Sequence, residues 1–168
     1  ELMAQFHDAG IETVMITGDQ SSTALSVGKR LGLNGVQGKP LEIIDSAHLD
    51  KLDPSVLAGL VGRTTIFSRV SPAHKLLIVE ALQRSGKVVA MTGDGINDSP
   101  ALKAANIGVT LGDKGTDAAR SVADVILEDD DLKTMVTAVR EGRAIYDNIR
   151  KSLHFLLSTN LSEIEVML

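Results

Sequence analysis

Apolar residues fall into short blocks of two periods, separated by glycine-rich polar breaks. Glu1–Ala9 has the spacing of a short helix closed by Gly10. "ETVMI" (Glu12–Ile16) is a β-branched run and predicts a buried strand. Ser21 or Ser22 then caps a helix through Leu31, stopped by Gly32. "GLNGVQGKPLEIID" reads as a connection with turn residues, and Asp53-Pro54 opens a helix through about Val61. "TTIF" (Thr64–Phe67) predicts a strand. "SPAHKLLIVEALQRSG" predicts a helix with Ser71 at its cap, Pro72 in its first turn and Gly86 at its end.

The second half repeats the alternation. Lys87–Met91 predicts a strand, an acidic loop follows, and Ser99–Ala105 predicts a helix with Pro100 at its first position. "IGVT" (Ile107–Thr110) and "DVIL" (Asp124–Leu127) predict two more strands. Asp129–Asp131 reads as a solvated cap before a long helix through "LKTMVTAVREGRAIYDNIRKSLHFLL". Strands alternating with helices imply parallel β-α-β units, and continuously apolar strands imply a sheet covered on both faces. The predicted fold class is α/β, a doubly wound parallel sheet of the Rossmann kind with a long C-terminal helix. Ligands of such sheets bind beyond the carboxyl ends of the strands. Two predicted strands run into the same tripeptide there, Thr17-Gly18-Asp19 and Thr92-Gly93-Asp94.

The acidic loop carries the candidate chemistry. Gly93 and Gly95 allow close approach of a ligand to the backbone, whose amides favour anions. Asp94 and Asp98 repel anions. A phosphate held with a hard divalent cation, usually Mg²⁺, satisfies both. An Asp capping the next helix is the common alternative, but Ser99 is available as the cap, which leaves Asp94 and Asp98 free. Thr17 and Gly18 offer a hydroxyl and an amide to a phosphoryl oxygen, whereas Asp19 has a helix cap as its simplest use. Lys75 sits in a first helical turn, where a cation opposes the helix dipole; a phosphate would account for it. His74 beside it is expected to face solvent.

Composition narrows the field. The 168 residues are 43% hydrophobic and 23% charged, a globular composition. Aromatics at 2% and a net charge of −5 exclude base stacking and phosphate-backbone binding, so no nucleic-acid partner is expected. There is no cysteine, hence no disulfide or thiolate site. Asp98 stands where a dinucleotide fingerprint needs glycine, Gly38-Lys39 lacks the Walker frame, and His7, His48, His74 and His154 have no ligand spacing. No nucleophile is evident. The apolar helical pattern runs to the last residue, so the chain reads as a piece of something longer, whose first strand and carboxylate lie before Glu1.

"MTGDGINDSPALKAANIGV" resembles the hinge-proximal signature of P-type ion-transporting ATPases, members of the haloacid-dehalogenase-like superfamily. "VMITGDQSSTA" is similar to their second phosphate-binding segment, and "FSRVSPAHKLLIVEAL" to the segment with their phosphate-contacting lysine. The resemblance covers Ile11–Leu168. It implies that Asp94 binds Mg²⁺, with Asp98 and Asn97 completing the network. It implies that Lys75, Thr17 and Gly18, with Asp19 in the same segment, hold a phosphoryl group donated by ATP. The implied nucleophile is the Asp of an Asp-Lys-Thr-Gly motif, which this chain lacks, as it lacks the nucleotide-binding and actuator domains. Residues 1–150 then correspond to the C-terminal part of the phosphorylation domain and 151–168 to the start of the fifth transmembrane helix.

Periodicity alone makes the tail an amphipathic soluble helix: Leu153, Leu156, Leu157, Leu161, Ile164 and Leu168 share a helical stripe. Ser152–Leu168 is also shorter than the roughly 20 residues a span needs. The resemblance reverses this reading: the helix enters a lipid membrane as part of a multi-pass protein. Arg140, Arg143, Arg150 and Lys151 then mark the cytoplasmic side. "STNLSE", with Asn160 and Glu163 three residues apart, resembles the cation-site segment of calcium-type and sodium/potassium-type pumps. The parent is expected to be a cation pump, calcium-like. A soluble phosphatase of the same superfamily and a non-catalytic fragment are the alternatives.

Overall fold

The computed structural model describes residues 2–33, 40–51 and 54–167. In chain order the elements are α1 (Leu2–Asp8), β1 (Met15–Ile16), α2 (Ser21–Leu31), β2 (Ile43–Asp45) and α3 (Pro54–Val61). They continue with β3 (Ile66–Ser68), α4 (Pro72–Arg84), β4 (Ala90–Thr92), α5 (Ser99–Ala104) and β5 (Ile107–Leu111). The last are α6 (Asp117–Val122), β6 (Val125–Leu127) and α7 (Lys133–Met167). Two compact units result, Glu1–Asp131 and Leu132–Leu168.

All strand pairings among the described residues are parallel, as expected for β-α-β units. They form two three-stranded sheets, ordered β1-β3-β2 and β4-β5-β6, so β1 and β4 are both edges. The first sheet is wound on both faces. Ile66, Met15 and Ile43 pack with Ala24 and Leu33 on the side of α2. Phe67, Ile16 and Ile44 pack with Leu57, Val61 and Ile78 on the side of α3 and α4. α4 also serves the second sheet: Val79 joins Met91, Ala101, Leu102 and Ala119, and Ile16 of β1 packs against that cluster too. A side chain of this size, fully buried, contributes roughly 1.5–3 kcal/mol. In the second sheet α5 lies close to β5 at Gly108, where a Cβ would stand 2.7 Å from the Leu102 carbonyl oxygen.

Several sequence expectations change. The connection after Gly32 contains a strand, β2, completing a sheet in which β3 is central and fully buried. Its residues 34–39, and Asp53 at the head of α3, lie outside the described residues. α6 was not anticipated; it is short and buries only Ala119. Neither Ser21 nor Ser22 caps α2: Gln20 occupies the cap position without a side-chain bond, and Ser21 Oγ instead pairs with Ser68 Oγ at 2.8 Å. Gly32 does end that helix, in the left-handed conformation at φ 71°. Asp129–Asp131 is not a simple solvated cap. Asp129 Oδ1 accepts the Asp131 amide at 3.2 Å, and Asp130 Oδ1 accepts the Asp113 amide at 3.2 Å.

α7 runs unbroken for 35 residues. Ile149, Leu153, Leu156, Leu157 and Leu161 on it are exposed. Thr159 and Ser162 turn their hydroxyls back onto the Phe155 and Ser158 carbonyls, both at 2.9 Å, which satisfies them within the helix. Among the described residues, no helix is long and apolar enough to cross a membrane.

Candidate functional site

The loops after β1 and β4 and the first turn of α4 hold the predicted residues. The β1 loop is tied to the turn that leads into α4. Val70 donates its amide to the Thr17 carbonyl at 3.0 Å, and Arg69 donates to the Asp19 carbonyl at 2.8 Å. Arg69 makes that turn at φ 54°, a left-handed conformation that costs an L-residue about 1–2 kcal/mol. Its carbonyl is held by the Ser46 hydroxyl at 2.5 Å.

Thr17 and Asp19 lock each other. Thr17 Oγ1 donates to Asp19 Oδ2 at 2.9 Å and accepts the Asp19 amide at 3.2 Å. Asp19 therefore orients the threonine hydroxyl and does not cap α2. Gly18 has open space beside it: the nearest atom to a Cβ there would be the Val70 carbonyl oxygen at 3.9 Å. Packing does not demand a glycine at this position.

Ser71 caps α4 as its sequence implies, accepting the His74 amide at 3.3 Å. His74 is half-buried and not turned to solvent; its ring nitrogen Nδ1 accepts the Ser71 amide at 3.5 Å, completing a capping box. One residue on, Lys75 Nζ meets Asp98 Oδ1 at 2.5 Å. The two side chains are 19% and 11% exposed, so this is a largely buried ion pair. Asp98 Oδ2 also accepts the Gly95 amide at 3.4 Å. Asp98 is thus not free, contrary to its sequence reading, and Lys75 answers a carboxylate on the acidic loop.

Ser99 does not cap α5 either. A 3-10 turn, Ile96–Asp98, leads straight into the helix, and the Ser99 hydroxyl is buried with no hydrogen-bond partner among the described residues. Asp94 is different. Its carboxylate is exposed and makes no hydrogen bond among the described residues, while its carbonyl accepts the Thr116 amide at 2.9 Å. Asn97 is exposed in the 3-10 turn. Gly93 is required sterically: a Cβ there would stand 2.5 Å from Asp98 Cβ. The structure thus brings Lys75 onto Asp98 beside Gly93 and Gly95, and Asp94 onto the rim of the same loop.

Among the described residues, no three His, Cys, Asp or Glu side chains converge on one point. A dedicated all-protein cage is therefore absent there. Mg²⁺ needs only one or two carboxylates, with water and phosphate oxygens completing its shell. The exposed Asp94 carboxylate fits that donor set. Asn160 lies exposed on α7, and Glu163 belongs to the same helix with its side chain outside the described residues.

Sequence reasoning missed Arg69, Ser68 and Thr116. The signal for Thr116 was present as two glycines, Gly112 and Gly115, between a strand and a short helix. No local signal exists for the Ser21–Ser68 pair, whose members are 47 residues apart.

Parallel β-α units with their acidic and hydroxyl-bearing loops at the strand ends have the arrangement by which open α/β sheets bind ligands. The chain belongs to the haloacid dehalogenase-like hydrolases, whose family model matches residues 1–106. It is 47% identical over 168 residues to a calcium-transporting ATPase of Bacillus subtilis, covering 100% of this chain and 18% of that protein. It is 47% identical over 166 residues to a P-type sodium-transporting ATPase of Toxoplasma gondii, covering 94% of this chain and 12% of the relative. A solved zinc-transporting PIB-type ATPase in its E2.Pi state superposes with a TM-score of 0.67 at 29% identity, over 89% of this chain and 19% of that one. The chain thus spans about a fifth or less of the length of these relatives.

Proposed function

We propose that this chain is the C-terminal part of the phosphorylation domain of a P-type cation-transporting ATPase, with residues 151–168 beginning a membrane helix. The parent couples ATP hydrolysis to cation movement, and calcium is the cation favoured by the relative matched over all 168 residues. The observation that carries the reading is the Lys75–Asp98 pair beside an unpartnered Asp94 on a two-glycine loop. Lys75 divides its charge between Asp98 and a phosphoryl oxygen. Thr17, its hydroxyl oriented by Asp19, and the open Gly18 amide hold further phosphoryl oxygens. Asp94 would take Mg²⁺ directly, with Asp98 and Asn97 completing the network around the site. Bound there, Mg²⁺ offsets charge on the transferring group.

The nucleophile belongs to chain outside this sequence. Two features support that. β1 and β4 are unpaired edges, yet Ile16 and Met91 share one apolar cluster, so a further strand between them would complete a continuous parallel sheet. The carboxyl end of that strand would lie between the Thr17 and Asp94 loops. Its aspartate attacks the terminal phosphorus of ATP; the bond to the ADP oxygen breaks and an aspartyl-phosphate forms.

α7 carries the link to transport, with Arg140, Arg143, Arg150 and Lys151 on the cytoplasmic side and Asn160 and Glu163 as the residues assigned to the transported cation. The decisive test is Asp94→Ala in the full-length parent. Mg²⁺-dependent phosphoenzyme formation from ATP should vanish while the protein still folds. Wild-type phosphoenzyme levels in that variant would remove Asp94 from its role.

A further inference from the structure

Asp94 poses a mechanical problem. Its carboxylate has no protein partner among the described residues and is flanked by Gly93 and Gly95, the two least restrained residues a chain can offer. Only its backbone fixes its aim. On one side Gly93 donates its amide to the Val109 carbonyl at 3.1 Å. On the other, the Asp94 carbonyl accepts the Thr116 amide at 2.9 Å.

Thr116 ends a loop that is pinned along its length. At its start, Gly112 donates to the Leu127 carbonyl at 2.9 Å, and Arg120 Nη1 donates to the Gly112 carbonyl at 2.8 Å. Asp130 Oδ1 accepts the Asp113 amide at 3.2 Å, and its other oxygen lies 3.9 Å from Lys114 Nζ. Asp130 does this from a left-handed conformation, φ 52°, with its side chain 15% exposed. Strain of that kind persists only where the surroundings over-determine it. At Gly115 the loop presses on the end of β5: a Cβ there would clash with the Leu111 carbonyl oxygen and stand 2.7 Å from Thr110 Oγ1. Thr116 finally caps α6 through the Ala119 amide at 3.3 Å. Arg120 is itself steadied by Asp117 at 2.6 Å, whose hydrogen bond and charge hold the guanidinium above its ordinary pKa.

We infer that the loop Gly112–Thr116, clamped by Arg120 and Asp130, is the positioning element for Asp94, so that these two residues set metal affinity without touching the metal. This rests on the reading of Asp94 as the Mg²⁺ ligand. Outer partners that orient a ligating carboxylate commonly change metal affinity by about 10–100-fold when removed. The clamp acts through one backbone hydrogen bond, so the effect sits at the low end of that range.

The test uses Arg120→Met in the full-length parent, which keeps the side chain's stem. The Mg²⁺ concentration for half-maximal phosphoenzyme formation should rise about tenfold, with the maximal level retained at saturating Mg²⁺. Asp117→Ala removes an exposed arm of Arg120 but leaves its bond to Gly112, and should stay within about twofold of wild type. Amide hydrogen exchange gives the independent reading: the Thr116 amide should exchange about tenfold faster in Arg120→Met while α4 amides keep their protection. Unchanged Thr116 exchange would overturn the clamp. Faster exchange with unchanged Mg²⁺ dependence would overturn its role in metal affinity. If Arg120→Met loses protection throughout α4, Asp130→Gly, which keeps the left-handed backbone, carries the same two readings. Loss of α4 protection in both variants makes the loop a folding element and overturns the inference. A parent whose Mg²⁺ dependence survives Asp94→Ala refutes the metal reading instead, and Thr116 exchange still reports on the clamp.

Discussion

Lys75→Met removes one charge from a pair that the fold has largely taken out of water. The ammonium leaves, the stem stays, and Asp98 keeps only the Gly95 amide at 3.4 Å, a long hydrogen bond. Breaking a fully buried ion pair from one side costs about 3–5 kcal/mol. Exposures of 19% and 11% place this pair near the low end, at about 3 kcal/mol. Asp98→Ala should cost less, about 1–2 kcal/mol, because the freed lysine can carry its charge outward along its flexible stem. In the double variant neither charge is left stranded, so the loss should fall about 2 kcal/mol short of the sum. Urea denaturation of the chain, followed by circular dichroism, measures all four corners of the cycle. With a slope of about 2 kcal/mol per molar, Lys75→Met moves the midpoint down by about 1.5 M. Additivity within about 0.5 kcal/mol would show that the two groups do not interact, and the geometry assigned to the site would fall with it.

Gly93→Ala should destabilise the chain by about 1–3 kcal/mol through the clash with Asp98 Cβ, read as a lower urea midpoint; wild-type stability would mean that Asp98 does not pack there. Gly108→Ala should cost a similar amount, since a Cβ at 2.7 Å from the Leu102 carbonyl forces α5 off the sheet. In the full-length parent, Glu163→Gln should weaken cation stimulation of ATPase activity, and an unchanged cation dependence would remove Glu163 from the transport path. Thr17→Ala should lower phosphoenzyme formation at sub-saturating ATP by about tenfold while leaving the melting temperature within a few degrees, because among the described residues the hydroxyl bonds only to nearby Asp19.

What the sequence revealed was local. Ser71, Pro72 and Gly86 bracket α4 as read because capping chemistry acts within one helical turn. Thr17-Gly18 and the Gly93–Asp98 loop were found because glycines and carboxylates concentrate at strand ends. The misreadings have equally specific causes. β2 was missed because its two isoleucines follow a run of glycines and a proline, and the whole stretch reads as a connection. Ser99 was expected to cap α5, but Asp98 at φ −93°, ψ −18° is already helical, so no extended cap residue exists. Asp98 was read as free because its partner, Lys75, lies 23 residues away on another element. The Asp94–Thr116 tie was hidden for the same reason: a backbone bond between loops leaves no mark on side-chain identity. Family resemblance supplied the proposals that spacing could not, a nucleophile outside this chain and a cation role for Asn160 and Glu163.

In the proposed reading these loops form half of an aspartyl-phosphate site whose nucleophile lies upstream of Glu1. Incubating the full-length parent with Mg²⁺ and terminally labelled ATP, quenching in acid and mapping the label tests it most directly. One hydroxylamine-sensitive phosphate is expected, on an aspartate N-terminal to this chain, absent in Asp94→Ala. Label on a residue within Glu1–Leu168, or ATP turnover with no acid-stable phosphoenzyme, would contradict it.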